Sequence, residues 1–285
     1  MTVPLPLINA LLTKESSSIA IVSIAEKGRG VITTSFRKRG DVVLANMQPL
    51  AIAYRSHKTC LPWTLPPEIL QYDQARIDLQ KSQDARKEFE EKWPQILNRV
   101  QDNDRQYPIL AAQIALRLTV EPAGNQSAYG FIIAALCAPK IEKPFPSAWM
   151  HDYNRLVDAL NQERYTSSGH SAPSWLTPTW YAAIIGRLHL NLIQATDSSF
   201  SALYGFASFL NHNREPSLLV DFHHRAPNHD LIQDVPLLSL RAARDIHPNE
   251  ELTISYISEH FHQDNQAKRD EYFLHNYGFV ESSSC

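Results

Sequence analysis

The sequence predicts an α+β protein in which a β-rich fold is written in two halves around a mainly helical insertion. Three observations predict it. Short β-branched runs broken by glycine turns open the chain. A charged, Gln-rich, glycine-free stretch with helical apolar spacing follows from Pro66-Pro67 to about Tyr107. Alternating apolar and polar runs return in the last third.

The first half is read as a small antiparallel sheet. Ser18 to Ile24 is apolar and β-branched, Lys27-Gly28-Arg29-Gly30 reads as a turn, and Val31 to Thr34 continues as a strand. Gly40-Asp41 marks the next turn, before Val42-Val43-Leu44 and then Pro49 to Ala53. Gly turns between short β-prone runs are the signature of antiparallel strands.

In the middle, Pro67 suits a first helical position. Ile69, Tyr72, Ile77, Phe89, Trp93, Ile96, Leu97 and Val100 recur at helical intervals. Ile109 to Leu118 predicts a second helix, Tyr129 to Ala138 a third closed by Pro139, and Asp152 to Arg164 a fourth. The serines between Thr166 and Ser174, with Pro173 and Pro178, read as a loop. The last third gives strands at Pro236 to Ala242 and Leu252 to Tyr256. In the second of these, Leu252, Ile254 and Tyr256 would share one face. Gln266 to Tyr277 predicts a helix ended by Gly278 in the left-handed position.

Bulk properties set the class. With 285 residues, 44% of them hydrophobic and 20% charged, a sizeable core can form. A formal net charge of −3 provides no global basic field for nucleic acid or anionic lipid, so neither is expected as a direct partner. Cys60, Cys137 and Cys285 are too few and too scattered for a disulfide framework, which points to a reducing compartment. The apolar start lacks a basic flank and reads as a poor signal peptide, and no run approaches bilayer length. The expectation is an intracellular protein of the cytoplasm, the nucleus or both.

Four segments, in this order, resemble the SET family of lysine methyltransferases: Lys27 to Gly30, Ser208 to Asn213, Arg244 to Tyr256, and Tyr277-Gly278-Phe279. Each is weak alone; their order and spacing are specific. The likeness is nearest to the branch whose SET domain is split by a MYND finger and a helical insert. It divides the chain into residues 1–59 (N-terminal SET part), 60–180 (insertion), 181–265 (C-terminal SET part) and 266–285 (post-SET helix and tail). The resemblance implies a fold with a pseudo-knot and methyl transfer from S-adenosyl-L-methionine to a lysine amine. The substrate would be a histone or non-histone protein.

The resemblance also implies roles. Tyr256 matches the active-site tyrosine that orients the amine, and Tyr277 a second tyrosine of the lysine channel. Phe279 matches an aromatic that stacks on adenine. Asn211 and His212 match the Asn-His pair that holds the cofactor, and Asn191 a further asparagine contact. Lys27 and Arg29 would hold the cofactor's carboxylate, with Gly28 and Gly30 letting the backbone approach. Read from the residues alone, Tyr277 and Phe279 suit core positions equally well. Asn211-His212 suits a turn, and the glycines suit a plain hairpin.

The chain departs from that branch at Pro216-Ser217, at Asn249 and Ile193, and at both zinc sites. Arg214 stands where a zinc-binding cysteine follows the Asn-His segment, and Glu281 and Ser283 stand at tail cysteine positions. Cys60 is alone in the region where the MYND finger would lie. A tetrahedral zinc needs four such ligands, so no metal is expected. The histidines at 223, 224, 229, 260 and 262 are read as surface-loop residues. With the zinc-bound tail gone, something else must wall the channel, and the insertion is the candidate. Two other functions fit these departures: a non-catalytic binding or scaffold protein, and a SET-like enzyme acting on a small molecule.

Overall fold

The computed structural model describes residues 3–12, 18–25, 27–55, 79–100, 106–120, 127–164, 173–195, 197, 199–224, 235–257 and 265–280. Helix α1 (Leu5–Leu12) precedes strands β1 (Ile19–Ile24), β2 (Gly28–Thr33), β3 (Val42–Met47) and β4 (Ala51–Tyr54). Helices α2 (Leu79–Val100), α3 (Gln106–Val120), α4 (Ala128–Ala135), α5 (Ser147–Arg164) and α6 (Pro178–Asn191) follow. Then come β5 (Leu192–Gln194), β6 (Phe200–Leu203), β7 (Asn211–His212), β8 (Leu218–His224), β9 (Pro236–Ala242), β10 (Glu251–Ile254) and helix α7 (Gln266–Tyr277).

The early strands do not form one sheet. They seed three, ordered β1-β2-β10-β7, β3-β9-β8 and β4-β6-β5. Each sheet joins strands from both ends of the sequence, a pairing that no local pattern announces. The first hairpin is also tighter than expected. Ile24 faces Gly28, so Gly28-Arg29-Gly30 already belong to β2. In the first sheet β10 runs antiparallel to β2 and parallel to β7. That order brings the glycine segment, the Asn-His segment and the Glu-Glu segment side by side.

The insertion is docked onto the sheets through its own buried core. Phe89, Trp93, Ile96 and Val100 of α2 are buried, and α2 packs on α3 and α5. Helix α3 is buried on nearly every side and lies against β4. Gln113 supplies the join: its amide accepts from Ile52 N at 2.9 Å and donates to Ile52 O at 2.7 Å. The side chain thus completes the backbone pairing of β4 as another strand would, removing the cost of unpaired polar groups there.

Several boundaries differ from the sequence reading. The fourth predicted helix begins earlier, at Ser147, and the third ends at Ala135, where Leu136 turns extended. Helix α1 and helix α6 were not expected. Thr177 caps α6 with Pro178 in its first turn, and residue 180 falls inside it. Because α6 is buried on several faces, it lacks the amphipathic period that reveals helices. Strand β8 contains His223 and His224, which therefore sit on a strand rather than in a surface loop. His223 Nε2 lies 2.7 Å from Asn46 Oδ1. Tyr256 lies just beyond the end of β10 instead of in the strand. The expected helical residues Ile69, Tyr72 and Ile77, the expected surface-loop residues His229, His260 and His262, and Cys60 and Cys285 lie outside the described residues. Among the described residues no helix is long and apolar enough to cross a membrane.

Candidate active site

Glu251, at the start of β10, ties together three of the segments singled out in the sequence. Its Oε2 pairs with Lys27 Nζ at 2.8 Å, and its Oε1 accepts from Asn211 Nδ2 at 2.8 Å. Asn211 Nδ2 also donates to the Arg29 carbonyl at 3.2 Å. Gly30 is required by this crowding: a Cβ there would run into the Ile24 side chain, Asn211 Nδ2 and Glu251 Oε1. Gly28 is required for a different reason, its φ of +82°. The Arg29 guanidinium lies over the Phe209 ring at 5.2 Å, a cation–π geometry.

An aromatic cluster adjoins this knot of polar contacts. The His212 ring lies 4.4 Å from Phe273, 5.4 Å from Tyr256 and 6.3 Å from Phe279, measured between centroids. Phe279 stacks on Phe273 at 5.1 Å and 21°. Phe273 is fully buried, whereas Phe279 remains 37% exposed. Tyr256 N donates to His212 Nδ1 at 3.2 Å, which leaves Nε2 to carry the proton of the neutral ring. Gly278, at φ +79°, caps α7 and swings Phe279 back towards the cluster.

Tyr256 joins this cluster to a cavity of about 820 Å³. Its hydroxyl donates to the Leu210 carbonyl at 2.6 Å, and its ring lies 5.0 Å from Tyr277. Burial raises the Tyr256 phenol well above its usual value, with Tyr277 adding to the effect. Burial likewise raises Tyr277, helped by Tyr272 and Tyr107. Both phenols are therefore neutral hydrogen-bonding groups at physiological pH.

The predicted residues divide between two places. Tyr256, Tyr277 and Asn191 line the cavity; Lys27, Gly28, Arg29, Gly30, Asn211, His212 and Phe279 do not. Asn191 is buried, and its amide protons go to the carbonyls of Cys137 at 2.8 Å and Arg187 at 2.7 Å. These bonds fasten the end of α6. Sequence reasoning missed Tyr107, His189, Tyr272 and Asn276, which also line the cavity. The Tyr107 hydroxyl lies 3.5 Å from His189 Nδ1, and desolvation, with Tyr272 nearby, raises its pKa. Tyr272 and Asn276 share one face of α7 through their four-residue spacing, a signal that the sequence did carry. Among the described residues no group of three or more His, Cys, Asp or Glu side chains could hold a metal.

A family model described as the SET domain matches residues 28–257. Two solved structures of the SET domain of LSMT are similar in fold. One is bound to lysine and AdoHcy, the other to MeLysine and AdoHcy. Each superposes with a TM-score of 0.51 at 12% identity, covering 94% and 95% of this chain respectively. This chain spans about half of theirs, 54% in each case. No curated protein matches the sequence.

Proposed function

Because the chain belongs to the SET-domain family, we propose that it moves a methyl group from S-adenosylmethionine to the side-chain amine of a protein lysine. The carrying observation is the position of Tyr256, which lines the cavity and packs against His212. In this reading it stands between the amine and the cofactor.

A lysine amine must be neutral to attack, and in water its pKa is about 10.4. Desolvation disfavours the ammonium, and the described cavity-lining residues include no carboxylate to restore it. The Tyr256 hydroxyl already gives its proton to Leu210 O. Its oxygen lone pairs remain to accept an amine N–H and fix the direction of attack. Catalysis of this kind is positioning, which can account for many orders of magnitude in rate.

The residues present suit the cofactor. Phe279 keeps surface for a further ring beside the buried Phe273, and Arg29 brings a cation to β2 beside Asn211, with Lys27, paired to Glu251, just before the strand. In this reading Lys27 and Arg29 hold the carboxylate, Asn211 and His212 the amino-acid end and adenine, and Phe279 the adenine face. S-adenosylmethionine supplies an electrophilic sulfonium methyl.

Transfer of labelled methyl from S-adenosylmethionine to protein in a lysate tests the reading. Labelled protein that disappears with Tyr256→Phe supports it. Cofactor binding with no labelled protein favours a small-molecule acceptor instead, and failure to bind cofactor favours a scaffold.

A further inference from the structure

Both carboxylate oxygens of Glu251 are committed beside the residues assigned to the cofactor. Oε1 accepts from Asn211 Nδ2 and Oε2 from Lys27 Nζ, each at 2.8 Å. Glu251 is itself held from several sides. Its backbone pairs with Ile32 of β2, its carbonyl accepts from Ser217 Oγ at 3.3 Å, and Lys27 fixes the carboxylate. Only 20% of the side chain is exposed, so it is not a solvated surface group that changes rotamer at no cost.

This contact decides which way the Asn211 carboxamide is turned. Nδ2 donates to Glu251 Oε1 and to the Arg29 carbonyl at 3.2 Å, which uses both amide protons. Turned over, Oδ1 would stand against a carboxylate oxygen and a carbonyl oxygen, three acceptors with no proton between them. A carboxylate only accepts, so it cannot adapt to the turned amide as a hydroxyl or a second carboxamide could. The Oδ1 acceptor is therefore kept on the side away from Glu251 and the Arg29 carbonyl. Gly30 allows the close approach, since a Cβ there would collide with Asn211 Nδ2 and crowd Glu251 Oε1.

Resting on the cofactor use proposed above, we infer that Glu251 is a positioning residue. By fixing the Asn211 carboxamide, it presents Oδ1 to the α-ammonium of S-adenosylmethionine. An ammonium only donates, and a fixed oxygen facing it makes a charge-assisted hydrogen bond. An amide that could turn would meet the ammonium with its own N–H groups instead. Glu251 acts through Asn211 and does not touch the cofactor.

The isosteric change Glu251→Gln gives the sharpest test. Its single oxygen cannot serve both partners, and the Lys27 cation claims it. The Gln NH2 group then faces Asn211 and turns the Asn211 amide over. Two probes are titrated calorimetrically into the full chain: AdoHcy, and its analogue with hydrogen in place of the α-amino group. Glu251→Gln should weaken AdoHcy about tenfold, the scale of one hydrogen bond to a charged group. The analogue's affinity should stay within about twofold. In an Asn211→Ala background, Glu251→Gln should cost AdoHcy nothing further, as expected of two residues acting as one unit. Equal loss for both probes in Glu251→Gln, or no loss for either, overturns the inference and needs no alanine variant to fold. Additive losses in the double variant overturn it too, because Glu251 would then act without Asn211. The expected pattern of binding in a chain that transfers no methyl group to protein would sink the proposed activity and support the role of Glu251. Methyl transfer with equal loss for both probes would do the reverse.

Discussion

The Tyr256 hydroxyl is hydrogen-bonded to the carbonyl of Leu210, the residue before Asn211, at 2.6 Å. A side chain at the end of β10 thereby fixes the backbone that leads into β7, while Tyr256 N donates to His212. The phenol that would orient an amine and the pair that would hold a cofactor are one hydrogen-bonded unit. Neither can shift without the other.

Tyr256→Phe should separate chemistry from folding. The ring contacts with Tyr277 and His212 remain, and the loss is one hydrogen bond with a buried carbonyl left unpaired. Stability should fall by about 1–3 kcal/mol. Methyl transfer should fall by roughly 100-fold or more, since the amine loses its orienting oxygen. Thermal unfolding and single-turnover transfer measure the two. A variant that keeps more than half its activity would remove Tyr256 from the mechanism.

Gly30→Ala and Gly28→Ala should fail differently. At Gly30 the new methyl meets Ile24, Asn211 and Glu251 at once, and the strand β2 must move away from β7 and β10. Overpacking of this kind costs about 1–3 kcal/mol, and cofactor binding should weaken because Asn211 is displaced. At Gly28 nothing lies within 4 Å of the added Cβ, so only the left-handed backbone is penalised, by about 1–2 kcal/mol. Chemical denaturation and cofactor titration on the two variants distinguish them.

The sequence disclosed local features and hid distant ones. The Lys27–Gly30, Asn211-His212 and Tyr277–Phe279 segments could be found because turns, a helix cap and motif order are written in consecutive residues. The α7 helix and its Gly278 cap were legible for the same reason. The cavity was not. Tyr107, His189 and Tyr272 come from three helices separated by long stretches of chain, and only the docking of the insertion brings them together. Asn191 illustrates the converse: its motif position is visible in sequence, but its amide protons are used by Cys137 and Arg187 carbonyls. Sheet membership failed too, since β3 and β4 pair with strands beyond the insertion.

The buried phenols predict alkaline behaviour. Tyr204, Tyr256 and Tyr277 are all raised by burial above the ordinary tyrosine value of 10.0. The folded protein therefore retains phenol protons that the unfolded chain releases. Stability from this source is complete below about pH 10 and is lost as pH rises through the folded values. Of the eleven tyrosines, these three should stay silent in a phenolate absorbance titration until the protein unfolds. Their smooth ionisation near pH 10 in the folded state would contradict the buried arrangement.

Phe273 and Phe279 stack on each other, yet their truncations should have opposite profiles. Phe273 is fully buried between His212, Tyr277 and Tyr272. Phe273→Ala should cost about 3–5 kcal/mol, as large aromatic deletions in cores do. Phe279 is 37% exposed, and part of its area is already in water. Phe279→Ala should cost less than about 1 kcal/mol of stability. If its open surface receives adenine, the same change should weaken S-adenosylmethionine binding by roughly tenfold, the worth of about 1.4 kcal/mol in a lost ring contact. Phe279→Trp should restore the affinity, because a larger ring keeps the stacking surface. Calorimetric cofactor titration decides it: unchanged affinity in Phe279→Ala would place adenine elsewhere and leave the Phe273–Phe279 pair a structural contact.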